Sequence, residues 1–168
     1  MAVEQGAVGA ELNTVRNVSI VSQGDANAVT FVTDGAGAAA TIVDSAAIQN
    51  LTITGAGNLT VASQDDAAAA TALTAGTIDA SEATGDVSIT IADAAATNLA
   101  TGVTQRTVTM GAGDDTVDAS GANLANSKIV GGEGRDTIIV NGASTTLVDD
   151  LVANVSGFEV LNLSLIHI

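Results

Sequence analysis

The chain has 168 residues, 19 of them acidic and 4 basic, for a formal charge of −15. Its cations (Arg16, Arg106, Lys128 and Arg135) are scattered, so no basic face exists to neutralise nucleic-acid phosphates or to meet an anionic membrane surface. Cysteine, proline, tryptophan and tyrosine are absent, which excludes a disulfide framework or thiolate metal site and leaves the core to many small contacts, mostly Val, Ile, Leu and Thr methyl groups, rather than to large aromatic side chains.

In chain order, Met1–Val15 carries Glu4 and Glu11 and lacks an apolar centre, so it does not read as a signal peptide. No stretch approaches the ~18 uncharged apolar residues that a membrane span requires. Two export routes are left, a signal upstream of this segment or an uncleaved signal downstream of it. Short β-branched runs follow at Asn17–Ser22, Ala28–Thr33, Ala40–Val43, Leu51–Thr54, Asn58–Ala62, Asp86–Ala92, Arg106–Met110, Lys128–Val130, Thr137–Val140 and Glu159–Leu163. Gly, Ala, Asp and Asn separate them, the pattern of an all-β chain. Gln64–Ala75 and Ser144–Asn154 read as short helices or loops.

Internal repetition narrows the fold. Thr77-Ile78-Asp79-Ala80-Ser81-Glu82-Ala83 recurs as Thr116-Val117-Asp118-Ala119-Ser120-Gly121-Ala122, an offset of 39 residues or about two solenoid rungs. A looser echo lies at Thr41–Ala46. Gly-x-Gly turns recur at Gly35–Gly37, Gly55–Gly57, Gly111–Gly113 and Gly132–Gly134. A chain poor in large side chains can bury many small contacts if each rung covers the one beneath it. The expected fold is therefore an all-β parallel β-solenoid, of the β-helix or β-roll kind, with irregular rungs. Residues 1–76 read as degenerate rungs of this single domain and residues 77–162 as rungs with calcium-type turns.

The nine-residue pattern Gly-Gly-x-Gly-x-Asp-x-apolar-x is the calcium-binding β-helix repeat. Gly131–Ile139 matches every fixed position, and Met110–Asp118 matches all but the first. Glycines allow positive-φ turns that bring carbonyls near an ion. The aspartate adds charge, and calcium takes six to eight such oxygens. The candidate metal residues are Gly111, Gly113, Asp115, Gly132, Gly134 and Asp136, with Ca2+ as cofactor. The two copies lie 21 residues apart, one turn of two nine-residue units plus three residues that fit the Asn123–Ser127 bend. They are expected to stack on one edge and share an ion between Asp115 and Asp136. In Gly55–Val61 the acid's place is taken by Leu59, so that turn is expected to be dry. The alternative is that these are plain Gly-Asp turns. A dinucleotide fingerprint fails at Thr116 and Thr137, a phosphate loop lacks Gly-Lys-Ser/Thr, and an EF-hand counted from Asp114 fails at Ala119 and Ala125.

Nothing in the sequence reads as catalytic. Asp65-Asp66 and Asp149-Asp150 are solvated acids rather than an acid pair, and Arg135 beside the turn offsets local charge. The ending Leu163-Ser164-Leu165-Ile166-His167-Ile168 resembles the translation of a sequencing-library adapter. It is set aside as a non-native tail at 163–168, which removes His167 from consideration and predicts that the protein continues past Asn162. The other reading is a native terminal strand, since Leu161–Ile168 alternates.

The Thr-(Ile/Val)-Asp-Ala-Ser segments, the Gly-x-Gly-x-Asp turns and the late Val155–Asn162 together resemble the large repeat-in-toxin (RTX) surface proteins of Gram-negative bacteria, which include surface-layer proteins and adhesins exported by type I secretion. The specific likeness covers Thr77–Asn162. It implies a secreted, cell-surface segment that folds on extracellular calcium and meets neighbouring copies or cell-surface glycans. The alternative is the calcium-dependent folding and secretion module of an enzyme whose catalytic part lies outside this chain. A self-contained lyase or hydrolase on a β-helix is a third.

Overall fold

A computed structural model describes residues 16–33, 48–65, 70–71, 73, 75–91, 105–122, 124–141 and 147–164. They form a parallel β-solenoid of two facing sheets. One sheet has the order β1 (Asn17–Val21), β3 (Asn50–Gly55), β6 (Thr77–Ala83), β8 (Arg106–Thr109), β10 (Ser127–Val130) and β12 (Val155–Ser156). The other runs β2 (Ala26–Thr33), β4 (Asn58–Asp65), β7 (Val87–Thr90), β9 (Thr116–Ala119), β11 (Thr137–Asn141) and β13 (Val160–Ser164). Each rung contributes one strand to each sheet, and a tight corner joins the two. The short strand β5 (Ala70–Thr71) lies off this path and pairs antiparallel with β4.

Alternation explains why these segments become strands. In β8 and β9 every second side chain is buried, and Val108, Val117 and Ala119 point inward. Stacking then lines like with like. Leu51, Ile78, Val108 and Ile129 form one inward column. Val61, Ile89, Val117 and Ile138 form the facing one. All eight are nearly inaccessible to solvent, and a fully buried Val, Leu or Ile contributes about 1.5–3 kcal/mol relative to its exposed state. Ala80, Ala83 and Ala119 fill further core positions, beside larger residues such as Ile53, Leu73 and Val140. This is how a chain with two phenylalanines builds its core.

Rung length drifts as the sequence suggests. The partners Ala26↔Asn58, Leu59↔Val87, Ser88↔Thr116, Thr116↔Thr137 and Thr137↔Val160 give rungs of 32, 28, 28, 21 and 23 residues. The 39-residue repeat needs correction. Thr77–Ala83 is β6 in one sheet, whereas Thr116–Ala119 is β9 in the other. The two copies share an inward apolar pattern but do not stack, so their offset is not two rungs.

The three extra residues of the 21-residue rung include a 3-10 turn at Leu124–Asn126, with Leu124 buried. Of the two ambiguous stretches, Ser144–Asn154 contributes the helix α1 (Leu147–Asn154). Gln64–Ala75 contributes the end of β4 and the two residues of β5. The expected strand Ala40–Val43, the echo Thr41–Ala46 and the turn Gly35–Gly37 fall outside the described residues. Leu163 and Ser164, the start of the tail set aside above, extend β13 against Val140 and Asn141. His167 lies outside the described residues. No helix among the described residues is long and apolar enough to cross a membrane.

Candidate metal-binding corner

The corner between the two sheets is built from short turns stacked in register. Gly55-Ala56-Gly57, Ala83-Thr84-Gly85, Gly111-Ala112-Gly113 and Gly132-Glu133-Gly134 lie one above the next, tied by Thr84 N–H to Gly55 O at 2.9 Å, Ala112 N–H to Ala83 O at 3.0 Å and Glu133 N–H to Gly111 O at 2.8 Å. Gly132 shows why glycine is needed. It has φ +108°, and a Cβ there would collide with the Gly111 carbonyl oxygen. The expected stacking of the Gly111 and Gly132 turns is thus present, with Thr116 opposite Thr137.

Two columns of side chains rise from this corner. The outer one runs Asn58, Asp86, Asp114, Arg135 and is solvent-exposed. Asn58 Nδ2 donates to Asp86 Oδ2 at 2.9 Å, and Asp86 N–H donates back to Asn58 Oδ1 at 3.0 Å. Asp114 N–H donates to Asp86 Oδ1 at 2.9 Å, and Arg135 N–H to Asp114 Oδ1 at 2.9 Å. Asn58, Asp86 and Asp114 each cap a backbone donor of the next rung. Corner amides that lack a strand partner are satisfied in this way.

The inner column runs Leu59, Val87, Asp115, Asp136, Glu159. Leu59 and Val87 are buried among the apolar side chains. Asp115 and Asp136 occupy the same inward position and are equally buried, at 1% and 0% exposure. Their carboxylates take over the corner's backbone bonding. Asp115 Oδ1 accepts from Val87 N–H at 2.7 Å, and Asp115 Oδ2 from Gly111 N–H at 3.1 Å. Asp136 Oδ1 accepts from Asp115 N–H at 2.8 Å, and Glu159 Oε2 from Asp136 N–H at 2.8 Å. Asp136 Oδ2 is fully buried with no hydrogen-bond partner.

Burial pushes the Asp115 carboxyl up to about 6, against the pull of the Val87 and Gly111 amides and with a further push from Asp136 and Asp86. Burial likewise raises Asp136. The Asp115 amide opposes this rise, and the charges of Glu159 and Asp114 reinforce it. Both shifts have the same leading cause: burial disfavours the charged form of each carboxyl.

The six metal residues expected from sequence, Gly111, Gly113, Asp115, Gly132, Gly134 and Asp136, are therefore brought to one corner in adjacent rungs. Asp115 and Asp136 are linked through the Asp115 amide. Both Asp115 oxygens are held by N–H donors, whereas one Asp136 oxygen is open. The donor chemistry, carboxylates with glycine carbonyls, suits a hard cation such as calcium. Among the described residues no three acidic, imidazole or thiol groups converge as a ready-made metal cluster. Leu59, expected to make its turn dry, stands in the same column as the acids.

Sequence reasoning passed over two members of this corner. The turn Ala83-Thr84-Gly85-Asp86 has alanine in the first glycine position and Val87 in the acid position, so only Gly85-Asp86 and the equal spacing to its neighbours mark it. Glu159 follows a turn shortened to Gly157-Phe158, so the Gly-x-Gly signature is lost there. No family model, curated protein or solved structure matches the chain.

Proposed function

We propose that this chain is a calcium-dependent structural segment of a secreted bacterial surface-layer or adhesin protein, whose acidic corner is completed by extracellular calcium. The observation that carries the reading is Asp136: a fully buried carboxylate with one unpartnered oxygen, in a column that also holds Asp115 and Glu159. An uncompensated buried charge is costly, and a protein relieves it by protonation, pairing or metal coordination. No cation among the described residues is recorded in an ion pair with it. The acids Asp114, Glu133 and Asp136 crowd the same turns, so their repulsion opposes folding until a cation binds. The binding free energy then becomes folding free energy.

The magnitude fits a switch between compartments. Extracellular modules bind calcium at roughly 10⁻⁴–10⁻³ M. At about 1 mM calcium a site at the tighter end stabilises the folded form by on the order of 1 kcal/mol, and by almost nothing at cytosolic levels. A structural rather than catalytic role is supported by how the acids are spent. Asp86, Asp114, Asp115, Asp136 and Glu159 each hold a backbone amide of a neighbouring rung or turn. Asp149 and Asp150 lie in the first turn of α1, where the helix dipole favours them.

The test is a calcium titration of the calcium-stripped chain followed by circular dichroism and thermal melting at neutral pH. The reading expects a rise in melting temperature that Asp136→Asn abolishes. Identical melts with and without calcium would remove it.

A further inference from the structure

The open oxygen of Asp136 has a specific neighbour. A Cβ on Gly131 would lie within 3 Å of both Asp136 Oδ2 and the Gly157 carbonyl oxygen. These two oxygens therefore stand within about 5 Å of each other, which is the largest separation of two ligands held at 2.3–2.6 Å by one calcium ion. Both oxygens border the Gly131 Cα, and a buried, unpartnered carboxylate oxygen beside a carbonyl needs a proton or a cation to offset its charge. Gly157 adopts φ +72° and begins the short Gly157-Phe158 turn that returns the chain at Glu159. Glu159 is exposed, and through Oε2 it already holds the amide of Asp136. The other face of the pair is closed, because both Asp115 oxygens accept from amides, Val87 on one side and Gly111 on the other.

We infer that the cation sits one rung further along than the pairing of the two Gly-x-Gly turns suggests, between Asp136 and the Gly157–Glu159 strap, with Asp136 Oδ2, the Gly157 carbonyl and the Glu159 carboxylate as its protein ligands. Asp115 is then a structural acceptor and not a ligand. Water completes the shell, as is usual for calcium held by few protein oxygens. This placement rests on the calcium reading above and deepens it. The ion ties the rung of β10 and β11 to that of β12 and β13, which is otherwise joined by the two register pairs of β12 and the five of β13.

Isothermal titration of calcium into the calcium-stripped 168-residue chain tests the placement through three variants. Glu159→Gln and Asp136→Asn should each weaken binding by roughly tenfold or more, since loss even of a group supporting a ligand costs 10–100-fold. Asp115→Asn should bind much as the parent does, because the Asp115 side chain holds the Val87 and Gly111 amides, and only its backbone N–H, which the variant keeps, touches Asp136. Amide shifts give a second readout on the parent chain, should Asp115→Asn not fold. Calcium should move the Gly131, Gly157 and Glu159 resonances more than those of Val87 and Gly111. If Glu159→Gln binds like the parent, or the Val87 and Gly111 resonances move most, the ion lies between the two Gly-x-Gly turns and the placement fails while the calcium reading stands. If the parent chain takes up no calcium, both fall.

Discussion

The inner column of the corner is one structural position filled in two ways. In the rungs of β4 and β7 it holds Leu59 and Val87, and in the rungs of β9 and β11 it holds Asp115 and Asp136. Both halves follow the same path, with turns in register and strands paired in parallel. What differs is who accepts the corner amides. Leu59 N–H donates to the Asp86 carbonyl at 2.8 Å, a backbone solution. Val87, Asp115 and Asp136 donate instead to carboxylates of the following rung. The Leu59 rung is thus satisfied by backbone alone, and the Val87 rung already depends on Asp115. The acidic half buries charge to satisfy its backbone and is left with one oxygen open. A solenoid can change one rung's chemistry without changing its path, because each rung answers chiefly to its neighbours.

Substitutions at the corner break this comparison most sharply. Gly132→Ala should cost about 3 kcal/mol or more, because φ +108° is strained for alanine and the new Cβ meets the Gly111 carbonyl. Gly24→Ala has a similar φ of +86° but open space around it, so its cost should stay near 1–2 kcal/mol. Urea unfolding midpoints of the two variants measure the difference.

Next come the two fillings of the column. Leu59→Ala should lose about 2–4 kcal/mol whether or not calcium is present, the usual cost of a core truncation. Asp115→Ala orphans the Val87 and Gly111 amides. It should lose about 2 kcal/mol, less than two unmade buried bonds because a desolvated charge is removed as well. Denaturant curves with and without calcium separate the two cases.

The effect of pH is somewhat smaller and has an unusual sign. The folded chain holds the Asp115 proton up to about 6, against an ordinary 3.8. Stability from this group is therefore fully present below the ordinary value and is lost as pH rises through the raised one. Asp136 shifts in the same direction. In calcium-free buffer the chain should be more stable near pH 4 than near pH 7.5, by on the order of 1–2 kcal/mol. Added calcium should shrink that difference at the higher pH. Thermal melts across the range measure both. Smallest is the outer column. Asn58→Ala removes an exposed acceptor for Asp86 N–H and should cost under about 1 kcal/mol, independently of calcium.

Much of this could be read from the chain itself. Alternating β-branched runs and small side chains predict a stacked all-β fold, and the two Gly-x-Gly-x-Asp turns with Leu59 in the third mark one position and its two fillings. Where the reading failed, it failed for physical reasons. The Thr-(Ile/Val)-Asp-Ala-Ser repeat reports an inward pattern that either sheet can use, so its offset does not count rungs. Glu159 was invisible because its position is defined by pairing with Asp136, across a corner shortened to Gly157-Phe158 that has lost the Gly-x-Gly spacing. The contrast between Asp115 and Asp136 depends on which amide faces which oxygen, and no sequence pattern carries that.

The direct test of the whole account is hydrogen exchange of the backbone amides with and without calcium at neutral pH. The account predicts that calcium raises protection in β10, β11 and β13 and at the Gly131–Asp136 corner. It predicts that β3, β4, β6 and the Leu59 rung stay as they were. Equal protection in both conditions, or a rise spread evenly over the apolar and acidic rungs, would contradict it.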